Sequence, residues 1–261
     1  MTSLVLRENV DGIAILTLNR PEALNALSPS LFVELQEHVT SLALETEEIG
    51  CVILRGEGRS FSAGNDLKAM QAGDFTSAAA MAQGMQAGEK APYPMYQAEV
   101  VEMIEDLPQP VIAEVQGHCY TGALELVLAC DLLICGESAK FADTHGKWGL
   151  TPIWGMSQRL PRRIGVLNAK EMMYTGRVVS GEEAFEIGLA NRCVPDARLQ
   201  DETMQLAREI VGNSWHTLRA DKMLVNKGQD YGLKEGLAFE RKNSPGREAG
   251  AAERLSGFRK E

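Results

Sequence analysis

The chain has 261 residues, 44% of them hydrophobic and 24% charged, with a formal net charge of −10. These proportions describe a globular protein with a sizeable core, organised as one large domain or as one domain with a helical appendage. The acidic balance argues against nucleic acid as a general partner, which needs a concentrated Lys/Arg face, although Arg159, Arg162 and Arg163 form a local basic cluster. No run approaches the roughly 20 apolar residues of a membrane helix, and no secretory leader is legible at the N-terminus. The last residues, Arg259-Lys260-Glu261, are not a peroxisomal tripeptide. Cys51, Cys119, Cys130, Cys135 and Cys193 contain no C-x-x-C pair and mostly lie in apolar runs, which reads as reduced, buried thiols and no metal site. The expected location is cytoplasmic.

In chain order, Leu4 to Arg7 and Ile13 to Leu18 flank Asp11-Gly12, which predicts a β-hairpin closed by a tight turn. Ser28-Pro29 marks a helix start, and Leu31, Leu35, Val39 and Leu42 give that helix its apolar face. Cys51 to Leu54 reads as a buried strand, followed by a Gly-rich turn from Gly56 to Gly64. Residues 71–97 read as a mobile helical lid or loop. Val111 to Val115 is a core strand, a helix around Glu125 follows it, and Leu132 to Cys135 is the next strand. This repeating order indicates an α/β fold with parallel or mixed sheet. From about Arg198 to the end the pattern is helical.

Glu125 lies within Gly122-Ala123-Leu124-Glu125-Leu126-Val127-Leu128, an apolar helical run opened by a turn that begins at Gly117. A helix start offers free backbone N–H donors, and a carboxyl in apolar surroundings has a raised pKa. Together they suit chemistry at a carbonyl whose oxygen becomes negative in the transition state. The bland alternative is a capping box, which with Thr121 as N-cap calls for an acid at position 124, occupied by Leu124; Gly122 as cap partly restores it. Ser60 to Leu67 follows a strand and opens a helix, so the N–H groups of Ala63 and Gly64 form a second candidate donor set. His145 is a candidate acid/base or a hydrogen-bonded loop residue, and His118 carries the same two readings. Asp143 either orients a histidine or caps a turn. Phosphate-loop, dinucleotide-binding, zinc-protease and serine-hydrolase signatures are all absent from the sequence.

Asn19 to Leu27, Phe61 to Leu67, Gly117 to Asp131 and Gly155 to Pro161, in that order and spacing over nearly the whole chain, resemble the crotonase (enoyl-CoA hydratase/isomerase) family. Thr175-Gly176-Arg177 and Gly188 to Arg192 look like later landmarks of the same family. The resemblance implies an α/β spiral of ββα repeats over residues 1–197 and a helical region over 198–261 used in trimer assembly, as a homotrimer or a dimer of trimers. Leu233, Leu237 and Phe239 are the candidate association residues. It further implies an acyl-CoA substrate, with coenzyme A part of that substrate and no separate cofactor. Ala63 and Gly122 are then the oxyanion donors and Glu125 the first catalytic acid. Glu22, Ala23, Leu24, Ser62, Ala63, Asp66 and Leu67 match the coenzyme A-binding segments.

The reaction this implies is hydration of a 2-enoyl-CoA to a 3-hydroxyacyl-CoA, as in fatty acid metabolism. Isomerisation, thioester hydrolysis, decarboxylation and non-catalytic acyl-CoA binding are the alternatives. His145 stands where two-acid hydratases of the family carry a second Glu. Water addition needs one group to activate water and another to relay a proton, so either Glu125 does both or His145 takes the second role. Tyr120, Thr121 and Ala123 narrow a turn that elsewhere in the family is richer in glycine, and Trp148 and Trp154 either line the acyl pocket or pack.

Overall fold

The computed structural model describes residues 3–71 and 95–257. The hairpin forms from β1 (Val5–Val10) and β2 (Ile13–Leu18), with Asp11 and Gly12 both at positive φ, 50° and 79°, the turn type whose twist matches paired strands. Helix α1 (Pro29–Leu44) starts where Ser28 Oγ accepts the Leu31 N–H and buries Leu31, Leu35, Val39 and Leu42. Then follow β3 (Cys51–Gly56) and α2 (Leu67–Gln71). The lid expected over 71–97 lies mostly outside the described residues; its C-terminal end belongs to helix α3 (Met95–Glu105).

Next come β4 (Val111–Val115), β5 (His118–Tyr120), α4 (Gly122–Leu128), β6 (Leu132–Gly136), β7 (Lys140–Ala142) and α5 (His145–Trp148). After them, α6 (Met156–Ile164), α7 (Val166–Thr175), β8 (Val179–Ser180), α8 (Gly181–Glu186) and β9 (Arg192–Val194) complete the α/β part. One sheet has the order β1-β2-β3-β4-β6-β9, parallel throughout except for the hairpin, and a smaller one has the order β5-β7-β8. Ser62 extends the small sheet by bridging Cys119 in parallel.

The chain therefore climbs in ββα turns: β3, Ser62, α2; then β4, β5, α4; then β6, β7, α5. This is the expected spiral. The parallel strands are covered on both faces, which is why they read as continuous apolar runs rather than alternating ones. On the outer face, Leu199 and Ala207 of α9 (Leu199–Val211) pack on Ile13, Ile15, Ile53, Ile112 and Ile134.

Three more helices follow: α10 (Trp215–Gly228), α11 (Leu233–Asn243) and α12 (Ala251–Gly257). Trp215 lies so close to Gly50 that a Cβ there would meet its indole at 2.3 Å. Lys222 donates to Asp131 Oδ2 at 2.7 Å and to the Gln109 carbonyl at 3.0 Å. Since this ammonium is nearly buried, Lys222→Met is expected to destabilise the protein by about 1.5–3 kcal/mol, the worth of hydrogen bonds to a charged group, as measured by denaturant unfolding.

The five cysteines are free, and burial pushes the Cys51 and Cys130 thiols up to about 12, so both stay protonated. No described helix is long and apolar enough to cross a membrane.

Candidate active site

Three consecutive turns of the spiral end their second strands at one place. Past Ser62 the chain reverses at Gly64, whose φ is +92°. A Cβ there would stand 2.5 Å from the Tyr120 carbonyl oxygen and 3.7 Å from Gly122 N, so only glycine lets the first turn lie against the second. Past β5 the chain reverses again at Thr121, with φ 51° and ψ −107°. For a β-branched residue this conformation costs about 1–3 kcal/mol. Past β7 come Asp143 and His145.

The amide accounting departs from the expected donor pair. The Ala63 N–H donates to the Leu24 carbonyl at 2.9 Å, and the Gly64 N–H to Ser62 Oγ at 3.1 Å, so neither is free for a ligand. The bridge between Leu27 and Asn65 uses the Gly64 carbonyl and the Asp66 N–H, which turns the Asn65 N–H away from that pairing; among the described residues it has no acceptor. The Gly122 N–H, at the first position of α4, likewise has none. Asn65 Oδ1 is buried without a partner and would stand 2.7 Å from a Cβ on Gly122. The two open amides thus belong to Asn65 and Gly122. The turn at Gly64, with φ +92°, shifts the open donor two places along from Ala63.

Glu125, 1% exposed, does not cap its own helix. Its Oε1 accepts the N–H groups of Trp154 and Met156, each at 3.0 Å. Gly155 between them sits at φ +108°, and this lets two amides flanking one residue converge on a single oxygen, as in a backbone nest. Arg159 fixes that loop by donating to the Trp154 carbonyl at 2.7 Å while forking onto Glu105 of α3. The other oxygen, Oε2, faces His145 Nε2 at 3.7 Å. Burial raises the Glu125 pKa above the ordinary carboxyl value, opposed by the Met156 amide, His145 and the Trp154 amide.

His145, 6% exposed, opens α5. Asp143 Oδ1 lies 2.6 Å from its Nδ1 and accepts its backbone N–H at 3.1 Å. With Asp143 accepting at Nδ1, the ring is held with Nε2 toward Glu125. Asp143 therefore both orients a histidine and caps the turn before α5. His118 is placed elsewhere: its Nδ1 meets Ser60 Oγ at 3.0 Å and its ring stands edge-on to Tyr120 at 5.0 Å.

Of the segments expected to hold coenzyme A, Glu22 and Ala23 lie in a short 3₁₀ turn, and Leu24 and Asn25 follow it at φ 50° and 52°. Ser62 is fully buried and acts internally, its hydroxyl donating to the Asn25 carbonyl at 2.7 Å. Asp66 accepts from Arg20 at 2.9 Å and from the N–H of Ala69 at 3.1 Å, capping α2. Both side chains are hydrogen-bonded within the turn. Asn25, not singled out from the sequence, is the organiser here: buried, it donates to the carbonyls of Glu57 and Ser60 and accepts the Arg20 N–H. Trp154 is buried edge-on against Phe32 at 5.1 Å, and its ring covers Gly122, while Trp148 is exposed.

Fold and site together have the form of a ββα spiral in which two open amides lie beside a buried carboxyl–imidazole pair. The chain belongs to the enoyl-CoA hydratase/isomerase family, whose model matches residues 8–248. It is 32% identical over 237 residues to the crotonyl-CoA hydratase of Syntrophomonas wolfei, covering 90% of this chain and 86% of that protein. It is 31% identical over 242 residues to a probable peroxisomal enoyl-CoA hydratase 1 of Arabidopsis thaliana, covering 92% and 84%. Among solved structures, an enoyl-CoA hydratase from Bacillus anthracis superposes with a TM-score of 0.88 at 33% identity, covering 98% of this chain and 96% of that one. A monofunctional enoyl-CoA isomerase from M. smegmatis superposes with a TM-score of 0.74, also at 33% identity, covering 90% and 98%.

Proposed function

We propose that the protein hydrates a 2-enoyl-CoA to the 3-hydroxyacyl-CoA, with Asn65 and Gly122 donating to the thioester oxygen and Glu125 and His145 handling water and proton. The observation that carries this reading is the pair of facing atoms, Glu125 Oε2 and His145 Nε2, 3.7 Å apart. That gap is too long for a direct hydrogen bond and short enough for one water beside it to bond to both. In the forward direction Glu125 takes a proton from that water as its oxygen adds at C3. Negative charge moves onto the thioester oxygen, where the two amides meet it, and Glu125 then delivers the proton it took from the water to C2, so that both parts of the water end on the substrate. His145, its ring fixed by Asp143 at Nδ1, holds and orients the water through Nε2. Coenzyme A belongs to the substrate, and every other group is the chain's own.

The test is loss of the conjugated-thioester absorbance of crotonyl-CoA, run beside 3-enoyl-CoA and saturated acyl-CoAs. Migration of the double bond without hydration would replace this reading by isomerisation. Histidine in place of a second carboxylate leads to a separate expectation. His145→Ala lowers kcat by about 10²-fold or more while leaving acyl-CoA affinity near wild type, because the lost contribution is proton transfer and water placement. Titration with a saturated acyl-CoA reads the affinity, and an unaltered kcat assigns His145 to structure.

The assembly belongs with the same reading. Apart from the Lys222 side chain and the packing of Trp215 on Gly50, helices α10 and α11 stay largely open within the chain: Leu233 is 83% exposed and Leu237 44% exposed, and Phe239 stacks on Tyr231 at 5.3 Å. These faces suit contact with further copies in a trimer or a dimer of trimers, and sedimentation showing a monomer would remove that inference. An acidic chain acting on a water-soluble thioester fits the cytoplasm, which fractionation checks.

A further inference from the structure

Thr121 occupies a backbone conformation suited to glycine, and its hydroxyl is engaged with a neighbouring turn. Its Oγ1 lies 2.5 Å from Thr144 Oγ1 and accepts the Thr144 N–H at 3.0 Å. Its own N–H donates to the Ala142 carbonyl at 2.8 Å, and its carbonyl accepts the Glu125 N–H at 2.9 Å. One residue thus touches, through separate atoms, the segment just before His145 and the first helical hydrogen bond at Glu125. The peptide that follows it carries the open Gly122 amide.

We propose that Thr121 is a positioning residue for the hydration reaction. Its left-handed backbone ends the β5–β7 pairing and turns the Gly122 N–H out of the sheet. The Thr121–Thr144 hydroxyl pair locks that amide in register with His145. The oxyanion donor and the imidazole then keep a fixed spacing, although they come from different turns of the spiral. The backbone conformation alone would be served better by glycine; what threonine adds is the hydroxyl, and the hydroxyl has no described partner other than Thr144. This rests on the hydratase reading above, so the experiment has an arm that does not depend on turnover.

The variants are Thr121→Gly, Thr121→Ser and Thr144→Val, each assayed at a temperature where circular dichroism shows it folded. Thr121→Gly keeps the turn and loses the tether; kcat for crotonyl-CoA is expected to fall about 10-fold or more with KM within about twofold, as for a misplaced catalytic group. Thr121→Ser keeps the hydroxyl and restores most of the rate. Thr144→Val reproduces part of the loss, and the double variant Thr121→Gly/Thr144→Val is no worse than Thr121→Gly alone, since the two hydroxyls act as one device.

The second arm is the enolate absorbance of bound acetoacetyl-CoA, which reports polarisation of the thioester whether or not the protein hydrates anything. It is expected to weaken in Thr121→Gly and return in Thr121→Ser. A wild type that polarises acetoacetyl-CoA and hydrates no enoyl-CoA removes the hydratase reading and leaves this arm to decide the role of Thr121. A Thr121→Gly variant with wild-type kcat and wild-type absorbance, or a serine variant as impaired as the glycine one, overturns the proposal.

Discussion

Glu125→Gln is expected to reduce hydration by about 10⁴-fold, the upper end of what one positioned acid/base supplies, while making the protein more stable. The amide keeps an oxygen for the N–H groups of Trp154 and Met156 and stays neutral at every pH. The wild-type carboxyl has a pKa raised by burial, so the folded state binds its proton more tightly than the unfolded chain does. Its stabilising contribution is full at low pH and is lost as pH rises through the native value. The Gln variant should therefore melt close to wild type below about pH 4 and above it near neutrality, by about 2–4 °C for each kcal/mol. Calorimetry across that range checks the stability, and a stopped assay with crotonyl-CoA checks the rate. Wild-type turnover in the Gln variant removes Glu125 from the chemistry.

Asn65→Pro is the second large effect. It deletes an N–H that serves no described protein acceptor, so the fold is retained while kcat falls about 10²–10³-fold, the cost of one lost oxyanion donor. Asn65→Ala keeps the N–H and most of the rate, which separates main chain from side chain. Ala63→Pro gives the opposite phenotype, because it breaks the bond to the Leu24 carbonyl and lowers the melting temperature. An active, folded Asn65→Pro variant would show that Gly122 works without this partner.

The central strands, the Ser28 cap and the hairpin were legible because each has a local cause: apolar runs between turns, a hydroxyl before proline, Asp-Gly in a tight turn. Strands β5, β7, β8 and β9 were not, since two or three residues carry no period and form only because neighbouring turns supply their partners. The site divides in the same way. Glu125 showed itself as a carboxyl in an apolar helix, and the family motif marked His145.

Which amide is free near Gly64 depends on bonds to Leu24 and Leu27, more than 30 residues earlier. The grip on Glu125 depends on a loop 29 residues later. Neither long-range pairing leaves a mark in the local sequence, and so Ala63 was expected where Asn65 stands. Arg159 is a similar case: as a sequence it belonged to a basic cluster, and in the fold it is an internal brace between Glu105 and the loop that holds the carboxyl.

The spiral brings groups from three successive turns to the same spot: an amide after Gly64, an amide and a carboxyl around α4, an imidazole at α5. Each group is anchored by its own strand end, so the chemistry is divisible. Exchanging the imidazole alone, through His145→Glu with Thr144 and its bond to Thr121 kept, alters how protons move without disturbing how the thioester is polarised. The fold thereby works as a holder with exchangeable tools, in which reaction type can be rewritten at a single side chain.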